Sequence, residues 1–101
     1  MEFMYPFLAG IFFANGVPHF GNGISGRSFH SPFAKPPGKG HSSAVVNVIW
    51  GCTNFAAAHW ILQASETTIS SDYAFTVPFF AGLLLTGVIL GFAFERFRVG
   101  R

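Results

Sequence analysis

Charge is what this sequence has least of. Asp, Glu, Lys and Arg make up only 10% of its 101 residues, whereas a water-soluble domain usually carries about 25%. Half of the residues are hydrophobic, and the mean hydropathy is +0.45. This composition excludes an ordinary soluble domain, and it leaves little sequence for a separate extramembrane module.

Cysteine and catalytic motifs are also scarce. Cys52 is the single cysteine, so an internal disulfide and a paired metal–thiolate motif are excluded. The sequence contains no His-x-x-x-His, no paired carboxylates and no glycine-rich nucleotide fingerprint. We therefore expect no catalytic constellation and no metal site, and we expect that the protein is not an enzyme.

What the sequence does contain is three long stretches without Asp, Glu, Lys or Arg, namely Phe3–Phe20, Ala44–Gln63 and Phe75–Phe94. At a rise of ~1.5 Å per residue, each is long enough as a helix to cross a hydrocarbon core of roughly 30 Å. The first stretch lacks the basic start and the cleavage site of a signal peptide, so we expect it to be retained. The sequence predicts an all-α membrane protein with three transmembrane helices in a small bundle. A single membrane domain, 1–101, then comprises spans 3–20, 44–63 and 75–94, an inner loop 21–43 and an outer loop 64–72.

The basic residues predict an orientation. Three lie in the loop 21–43 and three follow Phe94, whereas the loop 64–72 has only acidic charges. The positive-inside rule then places the N-terminus outside and the C-terminus inside. Tyr5, Trp60 and Tyr73 all fall at the outer interface, the depth that such rings prefer. We expect a bacterial cytoplasmic membrane, with lipid headgroups and not nucleic acid as the partners of the bases.

Proline and glycine predict where the first helix and the inner loop are irregular. Pro18 removes a backbone hydrogen bond, so we expect a kink or an early end around Asn15–Pro18, followed by non-helical chain at Gly21–Gly23. The segment Ser31–Gly38 has three prolines, which favour an extended, polyproline-like backbone. Two interpretations of this loop stay open, a plain linker and a docking site for a partner or for anionic lipid. Ser42 or Ser43 is expected to cap the second helix.

Polar residues inside the spans are the candidate functional residues. By helix rise, an inner polar cluster is expected from Asn15, His19, Asn47 and Glu95. His59 lies near the outer face, roughly 20 Å from His19 in depth, so one subunit cannot use both to bind one metal or one haem. The cluster has three interpretations. It forms interhelical hydrogen bonds, or His19 carries a proton, or a single His, His19 or His59, ligates a haem or pigment.

Small residues predict where helices pack closely. Gly87 and Gly91 form a GxxxG motif on the third stretch, and Gly51 and Asn54 lie on a small, polar stripe of the second. The GxxxG motif suits either packing inside the chain or association with another chain.

Together these features predict an accessory or assembly subunit of a larger membrane complex. One alternative is a homo-oligomeric transporter or channel, because three short helices cannot enclose a pathway alone. Its lining would then include Asn15, His19, Asn47 and Asn54. The other alternative is a membrane subunit that binds haem or pigment. The expected partners are the lipid bilayer and other membrane subunits or further copies of the chain.

Overall fold

The described residues of the chain form three helices and one short hairpin. A computed structural model describes residues 3–65 and 73–99. Its elements in chain order are α1 (Met4–Ile24), β1 (Phe29–His30), β2 (His41–Ser42), α2 (Ala44–Ala64) and α3 (Tyr73–Val99). Helix accounts for 76% of the structure, so the predicted all-helical class is confirmed. The predicted outer loop, 64–72, falls almost wholly outside the described residues.

Within residues 3–65 and 73–99, two helices are long and apolar enough to cross a membrane, α2 and the segment Tyr73–Phe97 of α3. They coincide with two of the three predicted spans. The remaining span, 3–20, coincides with α1, which does not reach the same hydropathy. Asn15, His19 and Asn22 lower the hydropathy of α1, and two of them turn towards the other helices, as described below.

Helix α1 continues past Pro18, so of the two outcomes predicted around Asn15–Pro18, a kink or an early end, the early end is wrong and the kink stays a prediction. Gly21, Asn22 and Gly23 are helical as well. The reason is packing, which overrides the weak helix propensity of glycine. A Cβ atom on Gly23 would lie only 2.7 Å from the backbone oxygen of Ala44, so α2 holds this turn of α1 at close range.

The predicted polyproline-like loop is also wrong. β1 and β2 pair antiparallel, with Phe29 opposite Ser42 and His30 opposite His41. The chain between them folds back through turns, and the amide of Gly38 donates to the carbonyl of Ser31 at 2.8 Å. The hairpin lies against the bundle, because Phe29 is buried and its ring contacts the ring of Phe94 on α3.

Ser43 begins α2 as its N-cap. Its hydroxyl accepts a hydrogen bond from the amide of Val46 at 3.2 Å, which satisfies one of the free donors of the first turn. Of the two serines expected to cap this helix, the structure selects Ser43. The hairpin therefore joins α2 without an intervening linker.

Helix α1 lies in the middle and packs on both other helices. Against α2 the contact uses Gly16 and Gly51, where an added Cβ would lie 2.7 Å from an atom of Phe55 and of Phe20 respectively. Against α3 the contact uses Gly10 and Gly82. At each of these two, a Cβ would overlap a backbone oxygen of the facing helix. Glycine is required at these positions because the backbones themselves are in contact.

Candidate functional site

The polar residues of α1 and α2 meet inside the bundle. His19 Nδ1 lies 2.8 Å from Asn47 Oδ1, and both side chains are buried, at 3% and 0% exposure. The amide nitrogen of Asn47 faces three carbonyl oxygens, so its oxygen is the atom that accepts from His19. His19 Nδ1 therefore carries a proton.

Asn47 also fixes the hairpin to the helices. Its Nδ2 lies within 3.2 Å of the carbonyl oxygens of Phe29, Ser42 and Ser43. These carbonyls belong to both strands and to the N-cap of α2. One buried side chain thus joins α1, α2 and both strands of the hairpin.

A second hydrogen bond joins the same two helices nearer the middle of the bundle. Asn15 Nδ2 donates to Asn54 Oδ1 at 3.0 Å, and Asn54 Nδ2 donates to the carbonyl of Trp50 at 2.9 Å. Asn54 and Gly51 are both buried on the face of α2 that meets α1. The small, polar stripe of α2 thus lies in the interface with α1.

Glu95 and His59 lie outside this group of residues. Both are exposed, Glu95 on α3 and His59 towards the end of α2. In the described part of the chain, the carboxylate of Glu95 has no hydrogen-bond or ion-pair partner. The structure therefore brings Asn15, His19 and Asn47 near one another. Glu95 is not part of this group, because its side chain lies on the exposed face of α3.

Gly87 and Gly91 do not pack closely against other residues that the structure describes. Both are exposed, and a Cβ added to either would meet nothing within 4 Å. They line an apolar crevice of about 360 Å³ between α1 and α3, together with Ala14 and Val17. The two helices are in contact at Gly10 and Gly82, and the crevice lies between them further along their length.

His30 is the most enclosed histidine of the hairpin, with 2% exposure. Its ring stacks on Phe94, with the ring centres 5.0 Å apart and the planes at 9°. Its Nδ1 lies 2.7 Å from the carbonyl oxygen of Lys39. A carbonyl only accepts, so Nδ1 carries a proton and Nε2 presents the lone pair when the ring is neutral. This Nε2 is buried without a hydrogen-bond partner.

Among the described residues, Trp50 also has a buried side-chain atom without a hydrogen-bond partner, its indole Nε1. Buried polar atoms nearly always have a partner, so each exception requires an explanation. Trp50 and His30 line the same open cavity of about 260 Å³, which lies between α1, α2, α3 and the hairpin. We call it the His30 cavity. Its wall also includes His19, Leu90 and Phe94.

Sequence reasoning missed His30 and Trp50. His30 lies in a loop expected to be irregular, and Trp50 is an apolar-span residue like its neighbours. One signal was present, since three histidines, His19, His30 and His41, fall on the side of the sequence predicted to be inner. Their number near one end of the bundle indicates a polar region that the spans alone do not explain.

No family model matches the chain, and no curated protein or solved structure matches it either. Among the described residues there is also no group of three or more His, Cys, Asp or Glu side chains that could hold a metal ion.

Proposed function

We propose that this chain is a small integral membrane subunit that associates with other membrane proteins through α3. The observation that carries the proposal is the exposure of α3. Only 6% of its apolar window is buried within the chain, against 22% for α2. Val77, Phe80 and Leu84 are all more than half exposed. An apolar helix of this kind needs lipid or a neighbouring helix around it.

The proposal includes the orientation expected from the sequence, with α1 as a third membrane-spanning helix. Arg27, Lys35 and Lys39 all lie between α1 and α2, next to the hairpin that closes one end of the bundle. Tyr5, Trp60 and Tyr73 belong to the other helix ends, and all three are exposed. Basic residues on one side and interfacial aromatics on the other are typical of an inserted bundle with its basic side in the cytoplasm. A bacterial cytoplasmic membrane fits this pattern.

The transporter alternative is less well supported. It requires polar side chains that face a pathway between copies of the chain. Asn15, His19, Asn47 and Asn54 instead bond to one another in pairs within a single chain, and all but Asn15 are buried. The haem or pigment alternative requires one axial histidine, but the ring of His19 is buried and its Nδ1 is hydrogen-bonded to Asn47.

The test is purification in a mild detergent from the native membrane. The proposal expects this chain to migrate with unrelated subunits on a native gel. A single symmetric oligomer of this chain alone would contradict it and favour the transporter. Visible absorption that migrates with the isolated chain would favour a haem or pigment protein instead.

A variant of α3 makes the test specific. We expect replacement of Val77, Leu84 and Val88 by Ala to reduce the yield of co-purified subunits at least several-fold, because these side chains form the exposed face. The matched control replaces Val45 and Ile49 by Ala, since these are similarly exposed apolar residues on α2. Equal losses in both variants would contradict a specific role of α3.

A further inference from the structure

We propose that the hairpin binds the headgroup of an anionic phospholipid through Lys35 and Lys39, with the ring of Phe33 inserted into the same leaflet. This rests on the proposed function, because it requires the bundle to lie in a membrane. Charge complementarity indicates the ligand. The segment between α1 and α2 carries Arg27, Lys35 and Lys39 and no acidic residue, and all three basic side chains are exposed.

The two lysines belong to one tight turn of the hairpin. The carbonyl of Pro36 accepts hydrogen bonds from the amides of Lys39 and Gly40, at 3.1 and 2.8 Å. A Cβ added to Gly40 would lie only 2.5 Å from the carbonyl oxygen of Lys35, so the backbone is in close contact there. The two side chains therefore start from neighbouring points of the backbone. Because lysine side chains are long and flexible, both can reach the same headgroup.

No carboxylate in the described part of the chain neutralises these lysines. Glu95 is the one acidic residue within 3–65 and 73–99, and it forms no ion pair there. The ammonium of Lys39 lies 5.8 Å from the centre of the Phe97 ring, a cation–π contact that holds it beside α3 without cancelling its charge. Basic groups of this kind at a membrane surface attract anionic headgroups, by about fivefold in affinity for each base.

Phe33 places the hairpin beside the bilayer and not beyond it. Its side chain is 63% exposed, and its ring lies edge-on to the ring of Trp50 with the ring centres 5.1 Å apart. From the N-cap Ser43 to Trp50, α2 rises by about 10 Å. The hairpin therefore extends back along α2. An exposed aromatic ring close to basic residues provides both apolar insertion and charge attraction at a lipid interface.

Hydrogen bonds hold this part of the hairpin in a defined conformation. The hydroxyl of Ser31 accepts from the amide of Phe33 at 2.9 Å, and the carbonyl of Ser31 accepts from the amide of Gly38 at 2.8 Å. The same hydroxyl is hydrogen-bonded to the hydroxyl of Ser42 on β2. The backbone that carries the ring and the two lysines is thus already ordered, so little conformational entropy is lost there when a lipid binds.

The test is quenching of Trp50 fluorescence by brominated phospholipids, with the full chain carrying Trp60→Phe in phosphatidylcholine vesicles. Bromine quenches a tryptophan only at short range, so brominated phosphatidylglycerol and brominated phosphatidylcholine, compared in equal amounts, report which lipid lies beside the hairpin. We expect phosphatidylglycerol to bind there about fivefold or more tightly, and high salt to reduce this preference. The control is Trp50→Phe, in which Trp60 reports the opposite end of α2 and should show no preference.

Two double variants locate the site. Lys35→Gln with Lys39→Gln should abolish the preference for phosphatidylglycerol, because both charges are lost. Lys35→Arg with Lys39→Arg keeps both charges and should retain it. Equal quenching of Trp50 by the two lipids would overturn the proposal and favour an acidic segment of a partner protein. A preference that survives in the glutamine variant would also overturn it. No quenching by either lipid would contradict membrane insertion itself, so failure of the proposed function is distinguishable from failure of the lipid site alone.

Discussion

Helix α1 contacts α2 and α3 through different chemistry. Against α2 it combines close packing at Gly16 and Gly51 with directional hydrogen bonds, of which the buried pair His19 and Asn47 is the shortest, at 2.8 Å. Against α3 it uses close backbone approach at Gly10 and Gly82. Hydrogen bonds fix the register of two helices, whereas glycine contacts fix mainly their distance. It follows that hydrogen bonds hold α1, the hairpin and α2 in one defined arrangement. The position of α3 is less constrained, so α3 is the helix more available to contact other molecules.

The largest effect is expected at Asn47 of α2, which forms the buried hydrogen bond to His19 of α1. Asn47→Ala removes the partner of His19 and of three carbonyl oxygens, which we expect to lower the free energy of unfolding by about 3 kcal/mol. Reversible unfolding in mixed micelles measures this. Thr53→Ala is the control, because the exposed hydroxyl of Thr53 bonds only to a carbonyl of its own helix. A loss of stability smaller than that of the control would show that the hydrogen bonds of Asn47 do not determine how the helices pack.

The next largest effect is expected at Gly82 of α3, where the backbones of α1 and α3 are in contact. The added Cβ of Gly82→Ala would overlap the carbonyl oxygen of Phe7 on α1. We expect this overpacking to cost about 2 kcal/mol in the same assay. It should also weaken cross-linking between cysteines placed on α1 and α3. Unchanged stability together with unchanged cross-linking would contradict the close contact at this position.

Asn54 should have a smaller effect than Asn47. Asn54→Ala removes one interhelical hydrogen bond, from Asn15, so a loss of about 1 kcal/mol is expected. The double variant with Asn15→Ala should be little worse than Asn54→Ala alone, because both changes remove the same bond. Fully additive losses in the double variant would show that the two amides act separately.

The smallest effect is expected at Gly87 and Gly91. Both added Cβ atoms would enter open space, so Ala at either position should change the stability of the isolated chain by less than roughly 0.5 kcal/mol. The matched change is Gly82→Ala on the same helix. A loss as large as that of Gly82→Ala would place the GxxxG motif inside the bundle and contradict the crevice.

The sequence predicts where the helices lie better than it predicts which face of each helix contacts its neighbour. The apolar runs give α2 and α3 within a few residues, and helix rise alone puts His19 and Asn47 at one depth. The GxxxG spacing does not reveal which face of α3 meets α1, so Gly82 was not singled out. Spacing is a local property, but the close contact of Gly82 depends on the position of α1.

The hairpin shows the same limit more strongly. Its proline-rich sequence favours an extended loop, yet His30 pairs with His41 and stacks on Phe94 of α3. These contacts join residues far apart in the chain, and local propensity carries no information about them. The His30 cavity and the two buried nitrogen atoms without hydrogen-bond partners, His30 Nε2 and Trp50 Nε1, are therefore visible only in the folded structure.

The most direct test is whether the exposed face of α3 lies in lipid. A spin label on Leu84→Cys, in a Cys52→Ser background and in lipid vesicles, reports collisions with oxygen, which concentrates in the bilayer, and with a water-soluble nickel chelate. We expect oxygen to dominate at this position, because Leu84 lies in the middle of an apolar helix and is 67% exposed. Dominant collisions with the nickel chelate would place this face in water and contradict a membrane-spanning α3.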